Sequence, residues 1–348
     1  MRATMMIAVM LLCASSACAH PTIILTDSGG CGVDTQCHAG FTAAAAAWSE
    51  QIANNVTIQL SVGFTDLGPH VLGSTFVTQS DVDYATVHQL LPTLPLVLKF
   101  YTNTLNGITK STTHVWNVPS NYDSTYLSVP SSLMRVFGAL SPTDPMSDAD
   151  IYFSSKFKWD FNQPGPTASG HFDFIGVAAH EIGHALGFLS GVESADEYAA
   201  GGYTGLDQIA WVTTLDLYRC KGNYMDLTTG GTALFSKDGT CAIRGAGFST
   251  GSVTGDHRQA QHWAPMNKLG IMAPTVSAGQ HIKILQNDLD AAAAMGWTLA
   301  TAPPASQTTT KLSEMDTLAQ HRVIWNNYPT ERVLRPGFTV HKVNETAE

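Results

Sequence analysis

The chain has 348 residues, 44% of them hydrophobic and 13% charged, and carries a formal net charge of −10. That balance supplies a core and excludes wholesale disorder. The negative sign leaves no basic footprint, so nucleic acid is not an expected partner.

Residues 1–19 read as a signal peptide. Arg2 gives a positive start, Met5 to Leu12 form an apolar run, and Ala17-Cys18-Ala19 is a small-x-small site, with cleavage predicted before His20. The run is too short for a membrane span. An N-terminal anchor or a lipid-attachment site at Cys18 is the alternative, but Ser15 stands where a lipid-attachment site usually has Leu. The expected location is therefore secreted, extracellular or periplasmic. The mature chain keeps Cys31, Cys37, Cys220 and Cys241. An even count in an exported chain suggests disulfides. Proximity favours Cys31–Cys37 and Cys220–Cys241, although four cysteines allow three pairings.

Residues 22–26 read as a short strand, followed by a glycine-rich loop. Phe41, Ala44, Ala45, Trp48 and Ile52 share a stripe at helical spacing, which predicts a core helix over 41–53. Val56, Ile58, Leu60 and Val62 alternate as a strand over 56–64. A helical pattern over 84–101 is interrupted by Pro92 and Pro95. Short strands are predicted over 112–118, 125–129 and 148–154. The last of these lies just upstream of the helix that follows and can serve as a sheet edge for an extended peptide.

Residues 171–188, HFDFIGVAAHEIGHALGF, carry the chemistry. Asp173 is the expected N-cap. On a helix at about 100° per residue, His180 and His184 lie one turn apart on one face. Phe174, Ile175, Ala178, Ile182, Ala185 and Leu186 lie opposite. Gly183 leaves room for a close approach, and Gly187 marks the stop. The pattern H-E-x-x-H supplies two imidazole ligands for zinc, with Glu181 beside them as general base. The plainer reading is a helix whose histidines only make surface hydrogen bonds.

Residues 190–260 read as a loop-rich insertion stapled by Cys220 and Cys241, and 193–210 are too rich in glycine for a convincing helix. Tyr203, Tyr218 and Tyr224 are candidate cleft residues. A closing helix is predicted over 283–297, with Asn287 or Asp288 as N-cap and Gly296 at its end. Residues 300–348 form a linker and C-terminal tail.

HEIGHALGF followed at a distance by LGIMAP resembles the metzincin zinc peptidases, whose pattern H-E-x-x-H-x-x-G-x-x-H is followed by a Met-turn. His180, Glu181, His184 and Gly187 match. Position 190 is Ser, which cannot replace the third histidine. Leishmanolysin-like peptidases carry a long insertion here, with the third histidine about ten residues before the Met-turn. The resemblance therefore implies His262, ten residues ahead of Met272, as third ligand, and Met272 as the methionine beneath the metal. His257, beside Asp256, and Glu193 or Asp196 remain alternative ligands, and Met272 has the plainer reading of a core residue.

The resemblance implies an α+β metzincin-like zincin over residues 20–299. A twisted sheet would cover the active-site helix, with a smaller irregular C-terminal subdomain. It implies a secreted zinc endopeptidase acting on protein or peptide substrates with one catalytic Zn²⁺. The Asp- and Gly-rich loops leave Ca²⁺ open as a further ion, without a complete calcium-loop motif. With the mature start running directly into this domain, activation by loss of a large propeptide is not expected. The alternative is a catalytically silent zinc-binding surface or adhesion protein on the same fold.

Overall fold

The computed structural model describes residues 20–33, 35–91, 126–162, 165–200, 212–242, 245–265, 269–300, 323–326 and 341–347. The signal peptide expected over 1–19, the strand expected over 112–118, most of the 300–348 tail and Tyr203 lie outside them.

In chain order the elements are β1 (Thr22–Gly29), α1 (Gln36–Ser49), β2 (Thr57–Thr65), β3 (Gly73–Asp83), α2 (Tyr84–Leu90), β4 (Tyr126–Pro130), α3 (Ser131–Val136), β5 (Ala149–Ser154), β6 (Trp159–Asp160) and β7 (Phe172–Asp173). There follow α4 (Phe174–Ala185), α5 (Gly191–Ala200), β8 (Arg219–Lys221), β9 (Tyr224–Met225), β10 (Leu234–Phe235), α6 (Gln286–Met295), β11 (Val323–Asn326) and β12 (His341–Ala347). The result is a mixed α/β structure.

The main sheet runs β11-β1-β2-β5-β3-β12, with β4 also paired to β3. Strands β11, β1, β2 and β5 are mutually parallel. Strand β3 is antiparallel to β5, to β4 and to β12. In β2 the alternation holds, with Ile58, Leu60 and Val62 buried on one face.

One sequence expectation about the sheet changes, and one strand had no expectation at all. Strand β5 is not an edge. It pairs with β2 on one side and β3 on the other, so five of its six residues are buried, as an internal strand covered on both faces requires. The strand beyond it, β3, was invisible as an apolar alternation. Thr75 and Gln79 are buried on it, where a half-buried strand would ordinarily carry aliphatic residues.

Helix α1 begins earlier than its apolar stripe, because Thr35 caps it by accepting the His38 N–H at 3.1 Å. It packs against α4. Phe41 meets Phe153 and Phe174 edge-on at 5.2 and 5.3 Å, joining α1, the sheet and α4. The Trp48 indole N–H donates to the Ala179 carbonyl at 2.6 Å, which locks the two helices in register. Both disulfides pair as proximity favoured, Cys31 with Cys37 and Cys220 with Cys241.

The stretch after α4 is less irregular than its composition suggests. Residues 191–200 form α5 despite the expectation against a helix over 193–210. Strands β10, β8 and β9 form a small antiparallel sheet. Phe188, Phe235, Phe248 and Trp263 pack as an aromatic cluster beside it. Among the described residues, no helix is long and apolar enough to cross a membrane.

Candidate metal centre

Helix α4 follows its sequence pattern closely. Asp173 caps it by accepting the Gly176 N–H at 3.0 Å. Phe174, Ala178, Ile182, Ala185 and Leu186 are buried. Gly187 adopts a φ of 117°, which ends the helix. The Phe188 N–H then returns to the Gly183 carbonyl at 3.1 Å, a Schellman-type closure. That turn has a second effect: it aims the Phe188 carbonyl at His184, whose Nδ1 lies 2.7 Å away.

His180, His184 and His262 come together, all buried, with candidate ligand atoms within 4.8 Å of one another. Each ring is oriented by a backbone carbonyl at its Nδ1. His180 meets Ile271 at 2.7 Å, His184 meets Phe188 at 2.7 Å, and His262 meets Gln259 at 3.2 Å. A carbonyl only accepts, so each Nδ1 carries the proton and each Nε2 presents a lone pair. The Nε2 atoms of His184 and His262 lie 3.1 and 3.2 Å from that of His180.

Lone pairs facing one another at that distance, without a proton between them, repel unless a cation lies among them. Nor do the rings readily gain a second proton. Burial and then the neighbouring His184 pull the pKa of His180 down to about 3. Burial brings His184 to about 4, and burial with the two other imidazoles holds His262 well below the ordinary value. A tetrahedral zinc with bonds of about 2.0–2.1 Å spaces its nitrogen ligands by about 3.3 Å. The residues therefore fit a divalent metal of this kind.

The alternative third ligands are elsewhere. His257 is exposed. Asp196 accepts the N–H groups of Val253 and Thr254, at 2.6 and 3.1 Å, and the Thr254 hydroxyl. Glu193 accepts the Ala260 N–H at 2.8 Å and the Ser252 hydroxyl. Glu193 and Asp196, on α5, thus anchor the segment leading to His262. Arg219, fully buried, holds the same segment: it donates to the carbonyls of Ala260 at 2.5 Å and Ser249 at 3.2 Å. Ser190 donates to Asp216 at 2.5 Å and has no part in the histidine cluster. Tyr218 is buried in the core and Tyr224 is exposed on β9.

Met272 is fully buried. A Cβ added at Gly183 would fall on its sulfur, so the close approach that Gly183 permits is to this methionine. Glu181 is buried as well. The Thr75 hydroxyl lies 2.5 Å from its Oε2 and fixes the carboxylate's rotation. Gly73 lies against the same carboxylate: a Cβ there would sit 2.5 Å from Oε1. Thr75 and Gly73 were not readable as site residues. The only available signal was the run of small and polar residues on a strand without an apolar stripe.

Gly73→Ala is expected to lower stability by about 1–3 kcal/mol as Glu181 is forced aside. The denaturant midpoint measures this, and an unchanged midpoint would show that the strand has room for a methyl group.

No family model matches the chain, and no curated protein and no solved structure matches it.

Proposed function

We propose that this chain is an exported zinc-dependent endopeptidase of metzincin type. The observation that carries the reading is the convergence of three buried imidazole Nε2 lone pairs beside the H-E-x-x-H glutamate. Two disulfides are compatible with an extracellular location, and the signal-peptide pattern of residues 1–19 adds to it. The motif order of His180, Glu181, His184, His262 and Met272 resembles the metzincins and supports the same class.

In this reading His180, His184 and His262 would hold one zinc ion through their Nε2 atoms. When bound, the metal polarises the scissile carbonyl and lowers the pKa of water towards neutrality. Glu181 accepts the water's proton and later delivers it to the leaving amine. We assign that proton to Oε1, the oxygen opposite the one Thr75 holds. Glu181 also weighs against the silent-binder alternative, since holding metal needs no base. Glu181→Gln is expected to reduce kcat by about 10²–10⁴-fold on a protein substrate while bound zinc stays stoichiometric. Full activity in that variant, or activity in a zinc-stripped wild type, would contradict the reading.

The substrate is an extended peptide, and the strand beside Glu181 is β3. Its residues Gly73–Gln79 are paired antiparallel by β12, with Ala347 opposite Gly73. A peptide adding to this edge has to displace β12. Deletion of residues 341–348 is expected to lower KM several-fold with kcat little changed. An unchanged KM would place the peptide elsewhere.

A further inference from the structure

The N-terminus of α6 departs from the expected cap. Leu285, not Asn287 or Asp288, is the N-cap, and Asp288 is the third helical residue, reaching back to the Leu285 N–H at 2.7 Å. A capping carboxylate ordinarily stops there. This one is fully buried and takes three further donors. Oδ1 accepts from the Trp263 indole at 2.8 Å and the Met272 N–H at 3.2 Å. Oδ2 accepts from the Ile271 N–H at 2.8 Å as well as from Leu285. A Cβ at Gly270 would collide with the carboxylate, so the 270–272 turn lies directly on it.

Each of those partners leads to the histidine cluster. Ile271, held through its N–H, offers its carbonyl to His180 Nδ1 at 2.7 Å. Trp263, held through its indole, follows His262 in the chain, and its N–H donates to the Met272 carbonyl at 2.9 Å. Met272 lies against Gly183 of α4. One side chain therefore ties together the backbone that orients His180, the neighbour of His262 and the methionine beneath the helix. Four donors meet two oxygens, so only the ionised carboxylate satisfies them all. An amide in its place would turn its NH₂ towards two of them.

We infer that Asp288 is a positioning residue for the metal centre, setting the orientation of His180 and the placement of His262 without touching the ion. The inference rests on the zinc reading above. It assigns the carboxylate more than a helix-capping role, and the two roles separate by experiment.

The test is zinc affinity of the full chain by chelator competition, together with the rise in Tm that zinc produces over the metal-free protein. Asp288→Asn is expected to weaken zinc binding by about tenfold or more and to shrink the zinc-induced rise. Asp148→Asn is the control: Asp148 is an equally buried carboxylate, paired with Arg135 at 3.1 Å and apart from the histidines. It is expected to lower the Tm of the metal-free protein while leaving zinc affinity as in wild type. Gly270→Ala presses on Asp288 from the turn side and is expected to reproduce the loss of affinity if Asp288→Asn fails to fold. Wild-type zinc affinity in either Asp288→Asn or Gly270→Ala overturns the inference alone. A wild-type protein that does not bind zinc overturns the metal reading, and this inference with it.

Discussion

Three buried imidazole lone pairs held face to face are the constraint on which the site depends. Neutral nitrogens at 3.1–3.2 Å have no hydrogen to share once each Nδ1 proton is committed to a carbonyl. Burial also disfavours a second proton on any ring. The arrangement is costly for the apo chain and becomes favourable when a cation takes the lone pairs. On the zinc reading proposed above, part of the metal's binding energy is expected as folding energy for the segments that deliver the rings.

Those segments come from distant parts of the chain, and polar groups hold them in the interior. Helix α4 brings two histidines at fixed spacing and is clamped to α1 by Trp48. The third histidine arrives on an irregular stretch, where no helix or strand periodicity can set its position. Carboxylates and a guanidinium do that work. Glu193, Asp196 and Arg219 grip residues 249–260 ahead of His262, and Asp288 grips Trp263, Ile271 and Met272 behind it. Each has several partners, which offsets the cost of burying charge.

What could be read in the sequence divides along the same line. Helix α4, its cap at Asp173, its end at Gly187 and the register of β2 obey local periodicity and capping chemistry, so they were legible. His262 was legible only through resemblance, because nothing local distinguishes it from His257. Strand β3 was missed because its inward face carries Gly73, Thr75 and Gln79 around a single aliphatic residue, Val77. Strand β5 was misplaced as an edge because its outer neighbour, β3, comes earlier in the chain. Helix α5 was discounted on the glycines of its neighbourhood, and its buried contacts through Glu193 and Asp196 are tertiary. Asp288 looked like an N-cap because the sequence shows a capping residue type but not the three donors that reach it from residues 263–272.

The central claim is that these histidines close one metal site across the intervening chain. Zinc-edge X-ray absorption on the purified full chain, with metal content measured on the same sample, tests it most directly. The account predicts one zinc per chain with three imidazole nitrogens at about 2.0–2.1 Å and one oxygen, reduced to two imidazoles or to no bound zinc in His262→Ala. Zinc bound through sulfur, or an unchanged imidazole count in His262→Ala, would contradict it.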